Sequence, residues 1–85
     1  MFFAQAKYDK YVKSFMEGGY KLMTQNSRAC VFLRGTHWVE VRYKEDVEPI
    51  NSIYIDKGQE RPAPLSDEEQ SLCMKIYQCM RALNK

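Results

Sequence analysis

Arg28–Lys44, RACVFLRGTHWVEVRYK, decides the fold, because it predicts a single β-hairpin. Strands over 29–34 and 37–43 are rich in β-branched and aromatic residues, with Gly35-Thr36 between them. Glycine at the first of two loop positions is typical of a type II′ turn, since only glycine enters the positive-φ region at little cost. The two-residue loop fixes a register of cross-strand pairs: Arg34 with His37, Leu33 with Trp38, Phe32 with Val39, and Cys30 with Val41.

Both faces of this hairpin are apolar, because side chains alternate between the faces of a strand. The face called the first face here carries Cys30, Phe32, Val39, Val41 and Tyr43. The second face carries Ala29, Val31, Leu33, Trp38, Glu40 and Arg42. An antiparallel hairpin with one buried face is polar on the other. We therefore expect the second face to be covered, either by a helix of this chain or by another molecule.

Residues 4–17 predict an amphipathic helix. Its apolar positions have helical spacing: Ala4, Tyr8, Tyr11, Val12, Phe15 and Met16. The phase continues to Leu22 and Met23, so we favour a helix that runs to about Thr24, although Gly18 and Gly19 each cost about 1 kcal/mol inside it. The alternative ends the helix at Gly18 and makes 20–24 a short strand that pairs with 29–34.

Three further segments complete the predicted order. Ile50–Ile55 predicts a third strand, and the prolines of Gln59–Pro64 predict an extended linker. Ser66 and Glu69 have the spacing of a capping box at the start of a last amphipathic helix. The expected fold is α+β, in the order α-β-β-β-α, with a three-stranded antiparallel sheet flanked by two amphipathic helices. We expect residues 1–85 to form a single domain.

Composition narrows the class of protein. The 85 residues are 45% hydrophobic and carry a net charge of +2. This charge is too small to attract nucleic acid or an anionic membrane strongly. No apolar run reaches the roughly 20 residues that span a bilayer, and the first residues do not read as a secretory signal. Three cysteines without metal-ligand spacing indicate free thiols in a reducing compartment, so we expect a cytoplasmic protein without metal or cofactor.

The residues do not suggest catalysis. His37 stands alone beside a turn, and Ser66 together with the acidic residues after it is explained by a helix start. The cysteines, Cys30, Cys73 and Cys79, all fall on predicted apolar faces, where a thiol acts as a small hydrophobe. We therefore expect that the protein is not an enzyme.

A nucleic-acid-binding module is one hypothesis. Its candidate residues lie along the hairpin among aromatic side chains: Arg28, Arg34, Arg42 and Lys44. The order α-β-β-β-α resembles that of the double-stranded RNA-binding domain, whose first two strands turn where this chain has Gly35-Thr36-His37. That family docks RNA with lysines at the start of its last helix, where this chain has Asp67-Glu68-Glu69. The resemblance is one of topology, and acidic neighbours of the arginines make this the alternative hypothesis.

A protein-binding module is the favoured hypothesis. The candidate contact residues are those of the second face and one from the third strand: Val31, Leu33, Trp38, Arg42 and Tyr54. Tryptophan, tyrosine and arginine dominate the binding energy of protein interfaces. We expect an adaptor or inhibitor of a larger protein, with a homodimer as one form it can take. Small proteins of phages and other mobile elements often have a similar size and composition. This is a general analogy, and no sequence motif supports it.

Overall fold

The computed structural model describes residues 2–43, 50–54 and 65–84, with only the backbone for Phe2 and for 50–54. The elements are α1 (Phe2–Met16), β1 (Lys21–Gln25), β2 (Ala29–Arg34), β3 (His37–Arg42), β4 (Ile50–Tyr54) and α2 (Asp67–Leu83). The predicted α+β class, the three predicted antiparallel strands and the two flanking helices are confirmed. The structure adds β1 to them. Ile55 and the predicted linker Gln59–Pro64 lie outside the described residues.

The four strands form one antiparallel sheet in the order β1-β2-β3-β4. The β2–β3 register is the predicted one, with Leu33 opposite Trp38 and Phe32 opposite Val39. Gly35 has a φ of 62°, and Thr36 does not have a positive φ, as a type II′ turn requires. Because β1 precedes this hairpin, its turn joins the second and third strands of the sheet. The likeness to the double-stranded RNA-binding domain is weaker for that reason.

The favoured continuation of the first helix to Thr24 is wrong, and the alternative strand is confirmed. The helix ends at Met16, and Gly19 has a φ of 94°, which a right-handed helix does not use. The chain then turns, and β1 pairs with β2. The spacing of apolar residues was misleading here, because a segment of five residues is too short to distinguish the two-residue repeat of a strand from the 3.6-residue repeat of a helix. Met23, which the helix would have placed on its apolar stripe, is 45% exposed.

Both helices pack on the first face of the sheet. One core cluster unites buried side chains of α1 (Tyr8, Val12, Phe15), of α2 (Cys73, Ile76, Tyr77, Cys79, Met80) and of the sheet (Cys30, Phe32, Val39, Val41). The rings of Phe15 and Phe32 pack against each other, with centroids 4.4 Å apart and planes tilted by 34°. The expectation that a helix covers the second face is therefore wrong for both described helices.

The turn between β1 and β2 is tied to both helices. The Tyr8 hydroxyl donates to the carbonyl of Asn26 at 2.7 Å. The side-chain amide of Asn84 donates to the carbonyl of Ser27 at the same distance, 2.7 Å. The Asn26 side chain accepts from the amides of Arg28 and Ala29 and closes the turn. These bonds fix the sheet against the helix layer at one end.

The predicted capping box at the start of α2 is confirmed. The Ser66 hydroxyl accepts from the amide of Glu69 at 3.1 Å, and the Glu69 carboxylate accepts from the amide of Ser66 at 2.9 Å. Two amides at the helix start are thereby satisfied. The other Glu69 oxygen lies 3.7 Å from Arg34 of β2, so this cap also joins α2 to the sheet.

Candidate functional site

The second face of the sheet presents a row of apolar side chains on its two central strands. Leu33 of β2 lies directly opposite Trp38 of β3, and Val31 lies opposite Glu40. The backbone of Tyr54 in β4 pairs with Trp38, so Tyr54 occupies the predicted register position beside this row. The structure thus brings four of the five predicted contact positions, those other than Arg42, into adjacent places.

Burial differs along this row. Val31, between its neighbours in the centre of the sheet, is only 7% exposed, whereas Leu33 and Trp38 are half-buried. None of the three belongs to the core cluster that the helices form with the first face. The row is therefore held in rigid strands but stands apart from the helix-covered core.

An ion pair borders the apolar row. The Arg42 guanidinium donates to the Glu40 carboxylate at 2.7 Å, and both residues lie on the second face two positions apart in β3. The Arg42 side chain is 42% exposed and that of Glu40 is 14% exposed. An ion pair whose arginine is this exposed adds little stability, on the order of 0–1 kcal/mol. It does give the edge of the row a defined polar group.

The candidate nucleic-acid-binding residues do not form one surface. Arg34 lies on the first face, where its guanidinium donates to the carbonyl of Gly18 at 2.9 Å and lies 4.3 Å from the ring centre of Tyr20. Arg42 lies on the opposite face with its own carboxylate partner. The Arg28 guanidinium is 5.9 Å from the ring centre of Tyr43, and Lys44 lies outside the described residues.

The three cysteines are buried, as predicted, and they are unpaired. Burial raises the pKa of the Cys30 thiol and that of the Cys73 thiol from 9.0 to about 12. Burial also raises the pKa of Cys79. A nucleophilic thiol needs the reverse shift, because the thiolate is the reactive form.

The described part of the chain does not meet the requirements of a metal site. Within it, His, Cys, Asp and Glu do not gather in any group of three that could hold a metal ion. His37 is half-buried next to the β2–β3 turn.

A groove between the helices is the feature that the sequence analysis missed. It is lined by residues of both helices, among them Phe3, Lys7 and Tyr11 of α1 and Lys75 of α2. The sequence signal was the spacing of Phe3, Lys7 and Tyr11 at every fourth position, which places them in a line on one helix face.

Comparison of the chain with models of protein families, with curated proteins and with solved structures found no match. Neither helix in the described residues is long and apolar enough to cross a membrane.

Proposed function

We propose that this chain acts by binding another protein through the second face of its sheet, as a small adaptor or inhibitor. One observation carries the proposal: both helices pack on the first face, so the apolar row at Val31, Leu33 and Trp38 is on the side away from them. Three unpaired cysteines favour a reducing compartment, and we propose a cytoplasmic setting for that reason.

The chemistry of the row supports a protein partner. A tryptophan and a leucine lie side by side on paired strands, with the Arg42–Glu40 ion pair next to them. This combination of an apolar centre and a polar border is typical of protein interfaces. Because strands hold these side chains in place before binding, little conformational entropy is lost on association.

Binding of RNA or DNA is the alternative proposal, and the charges support it less. Arg34 and Arg42 have carboxylate partners on opposite faces of the sheet. We expect affinity for generic oligonucleotides no tighter than about 10⁻⁴–10⁻⁶ M at physiological salt, the range of non-specific binding. Tight binding with a steep salt dependence that the Arg34→Ala/Arg42→Ala variant loses would favour this alternative over the protein partner.

The test of the protein-binding proposal uses two matched variants of the tagged chain as bait. Leu33→Ala removes a side chain from the second face, and Lys13→Ala removes an exposed side chain from α1. Bait is incubated with an extract of the source cells, the retained protein is purified, and its affinity for each bait is measured by calorimetry. We expect Leu33→Ala to weaken binding by about tenfold or more, as at an interface hot spot, and Lys13→Ala to bind as wild type does.

Equal affinity of the Leu33→Ala variant and the wild type would place the contact elsewhere and refute the proposed surface. The native mass of the chain alone distinguishes a homodimer from a foreign partner. If the mass is that of two copies, Leu33→Ala should return it to one.

A further inference from the structure

A groove of about 330 Å³ lies between α1 and α2, on the layer of the molecule opposite the second face. Its walls include Phe3, Lys7 and Tyr11 from α1 and Lys75, Gln78 and Cys79 from α2. The volume is at the lower end of the range, about 300–1,000 Å³, in which proteins hold small organic ligands. The groove is thus sized for a small molecule.

Much of the groove surface is apolar, although it is open to solvent. Phe3 is 72% exposed, which is unusual for a phenylalanine in a small folded protein. Two further lining residues, Tyr11 and Cys79, add an aromatic ring and a thiol to the groove surface. Tyr11 is half-buried and Cys79 is 6% exposed. A flat apolar group in the groove would cover the Phe3 ring and remove its surface from water.

Two ammonium groups give the groove its charge. The Lys7 Nζ lies 4.4 Å from the ring centre of Phe3, and the Lys75 Nζ lies 5.7 Å from the ring centre of Tyr11. Within residues 2–43 and 65–84, neither ammonium has a carboxylate partner, and no acidic residue lines the groove. Each lysine is held over an aromatic ring by a cation–π contact and keeps its charge available for an anion.

We propose that this groove binds a small organic carboxylate with an aromatic body. The carboxylate would accept charge-assisted hydrogen bonds from Lys7 and Lys75, which stand on opposite walls, and the aromatic body would pack on Phe3 and Tyr11. This site goes beyond the proposed protein contact, because none of its residues lies in the sheet.

A second groove shows why the charge pattern matters. It lies along the start of α2 and is larger, about 410 Å³, but it is lined by Asp67 and Glu68 as well as Lys75. Carboxylates in that wall would repel an anion. The groove between the helices has the positive charge that a carboxylate requires, and the second groove does not.

Amide chemical-shift NMR with naphthylacetate tests the site, with naphthylacetamide as a neutral probe of nearly the same shape. We expect naphthylacetate to cause saturable shifts at groove residues and to bind about tenfold or more tightly than the amide, since hydrogen bonds to a charged group contribute most of the difference. The Lys7→Gln/Lys75→Gln variant should lose that preference. All four of the lysines used for this variant and its control are exposed, so both proteins should keep the wild-type fold.

The control is Lys10→Gln/Lys13→Gln, which makes the same change in net charge on exposed positions of α1 outside the groove. It should keep the wild-type preference for the carboxylate. Equal binding of the two probes to the wild type would refute the proposal, as would an equal loss in the control variant or no saturable shift with naphthylacetate. None of these results bears on the second face, because a partner contact there is measured separately with Leu33→Ala.

Discussion

Phe32 and Leu33 are neighbours in β2, and their side chains lie on opposite faces of the sheet. Phe32 is fully buried, with its ring centroid 4.4 Å from that of Phe15 and 6.3 Å from that of Tyr20. Leu33 is half-buried beside Trp38 and outside the core cluster. A substitution at Phe32 therefore tests the stability of the fold, and a substitution at Leu33 tests the proposed binding surface.

We expect Phe32→Ala to lower the free energy of unfolding by about 3–5 kcal/mol, the cost of a large cavity in a packed core. Leu33→Ala should cost only about 1 kcal/mol, because a half-buried leucine contributes about half of the 1.5–3 kcal/mol of full burial. Urea unfolding followed by circular dichroism measures both. Equal costs for the two variants would mean that the second face is as much a core as the first.

The buried thiols predict how stability changes with pH. In the unfolded chain Cys30 and Cys73 ionise near pH 9.0, whereas in the folded chain burial raises their pKa to about 12. Between these values the unfolded state binds fewer protons, so the free energy of unfolding falls as pH rises. The slope approaches about 1.4 kcal/mol per pH unit for each thiol, and this stabilisation is fully present below pH 9.

Urea unfolding at a series of pH values between about 9 and 10 measures this slope. The Cys73→Ala variant should show a shallower slope than the wild type, by up to about 1.4 kcal/mol per pH unit, because the raised pKa of Cys73 is lost while those of Cys30 and Cys79 remain. A free energy of unfolding that stays level across this interval would show that the two thiols are already accessible in the folded protein.

At the scale of the elements, the start of α2 is the most local feature of the fold. Ser66 and Glu69 exchange two hydrogen bonds, and three acidic residues stand in the first turn, where the helix dipole favours them. The boundary between α1 and β1 depends instead on distant groups. Arg34 donates to the carbonyl of Gly18 and lies over the ring of Tyr20, which fixes the chain where the helix ends.

Ser66→Ala should lower the free energy of unfolding by about 0.5–2 kcal/mol, because the amide of Glu69 loses its acceptor. Ser71→Ala is the matched control, since Ser71 is exposed inside the same helix and should change stability by less than about 0.5 kcal/mol. Thermal unfolding measures both. A neutral Ser66→Ala variant would show that the capping box does not hold α2.

Gly19→Ala should cost more than about 1 kcal/mol, because a side chain at a φ of 94° is strained in any surroundings. Gly19→Asn should recover part of the loss, since asparagine tolerates positive φ better than alanine. The comparison is made by urea unfolding. An alanine variant as stable as the wild type would indicate that the helix can continue through this point after all.

Local signals in the sequence predicted the elements that depend on neighbouring residues. The β2–β3 register followed from the two-residue turn at Gly35, and the start of α2 followed from the spacing of Ser66 and Glu69. The strand β1 was not predicted as the favoured structure, because its pairing with β2 and the contact between Arg34 and Gly18 join residues distant in the chain.

At the scale of the whole molecule, both helices share one face of the sheet. The sequence could not decide this, because the hairpin is apolar on both faces and each helix has one apolar stripe that fits either. It did identify Val31, Leu33 and Trp38 as a row, since alternation in a strand is a local property. Placing both helices on the first face leaves that row as the strongest candidate for a contact with another protein.

Trp38 is the single tryptophan of the chain, so it reports on the second face alone. The most direct test is the fluorine NMR resonance of the chain labelled with fluorotryptophan, recorded as the purified partner is added. We predict that this resonance shifts or broadens in proportion to the complex formed, and that Leu33→Ala reduces the response while Lys13→Ala does not. Formation of the complex with the Trp38 resonance unchanged would contradict the assignment of the second face as the binding surface.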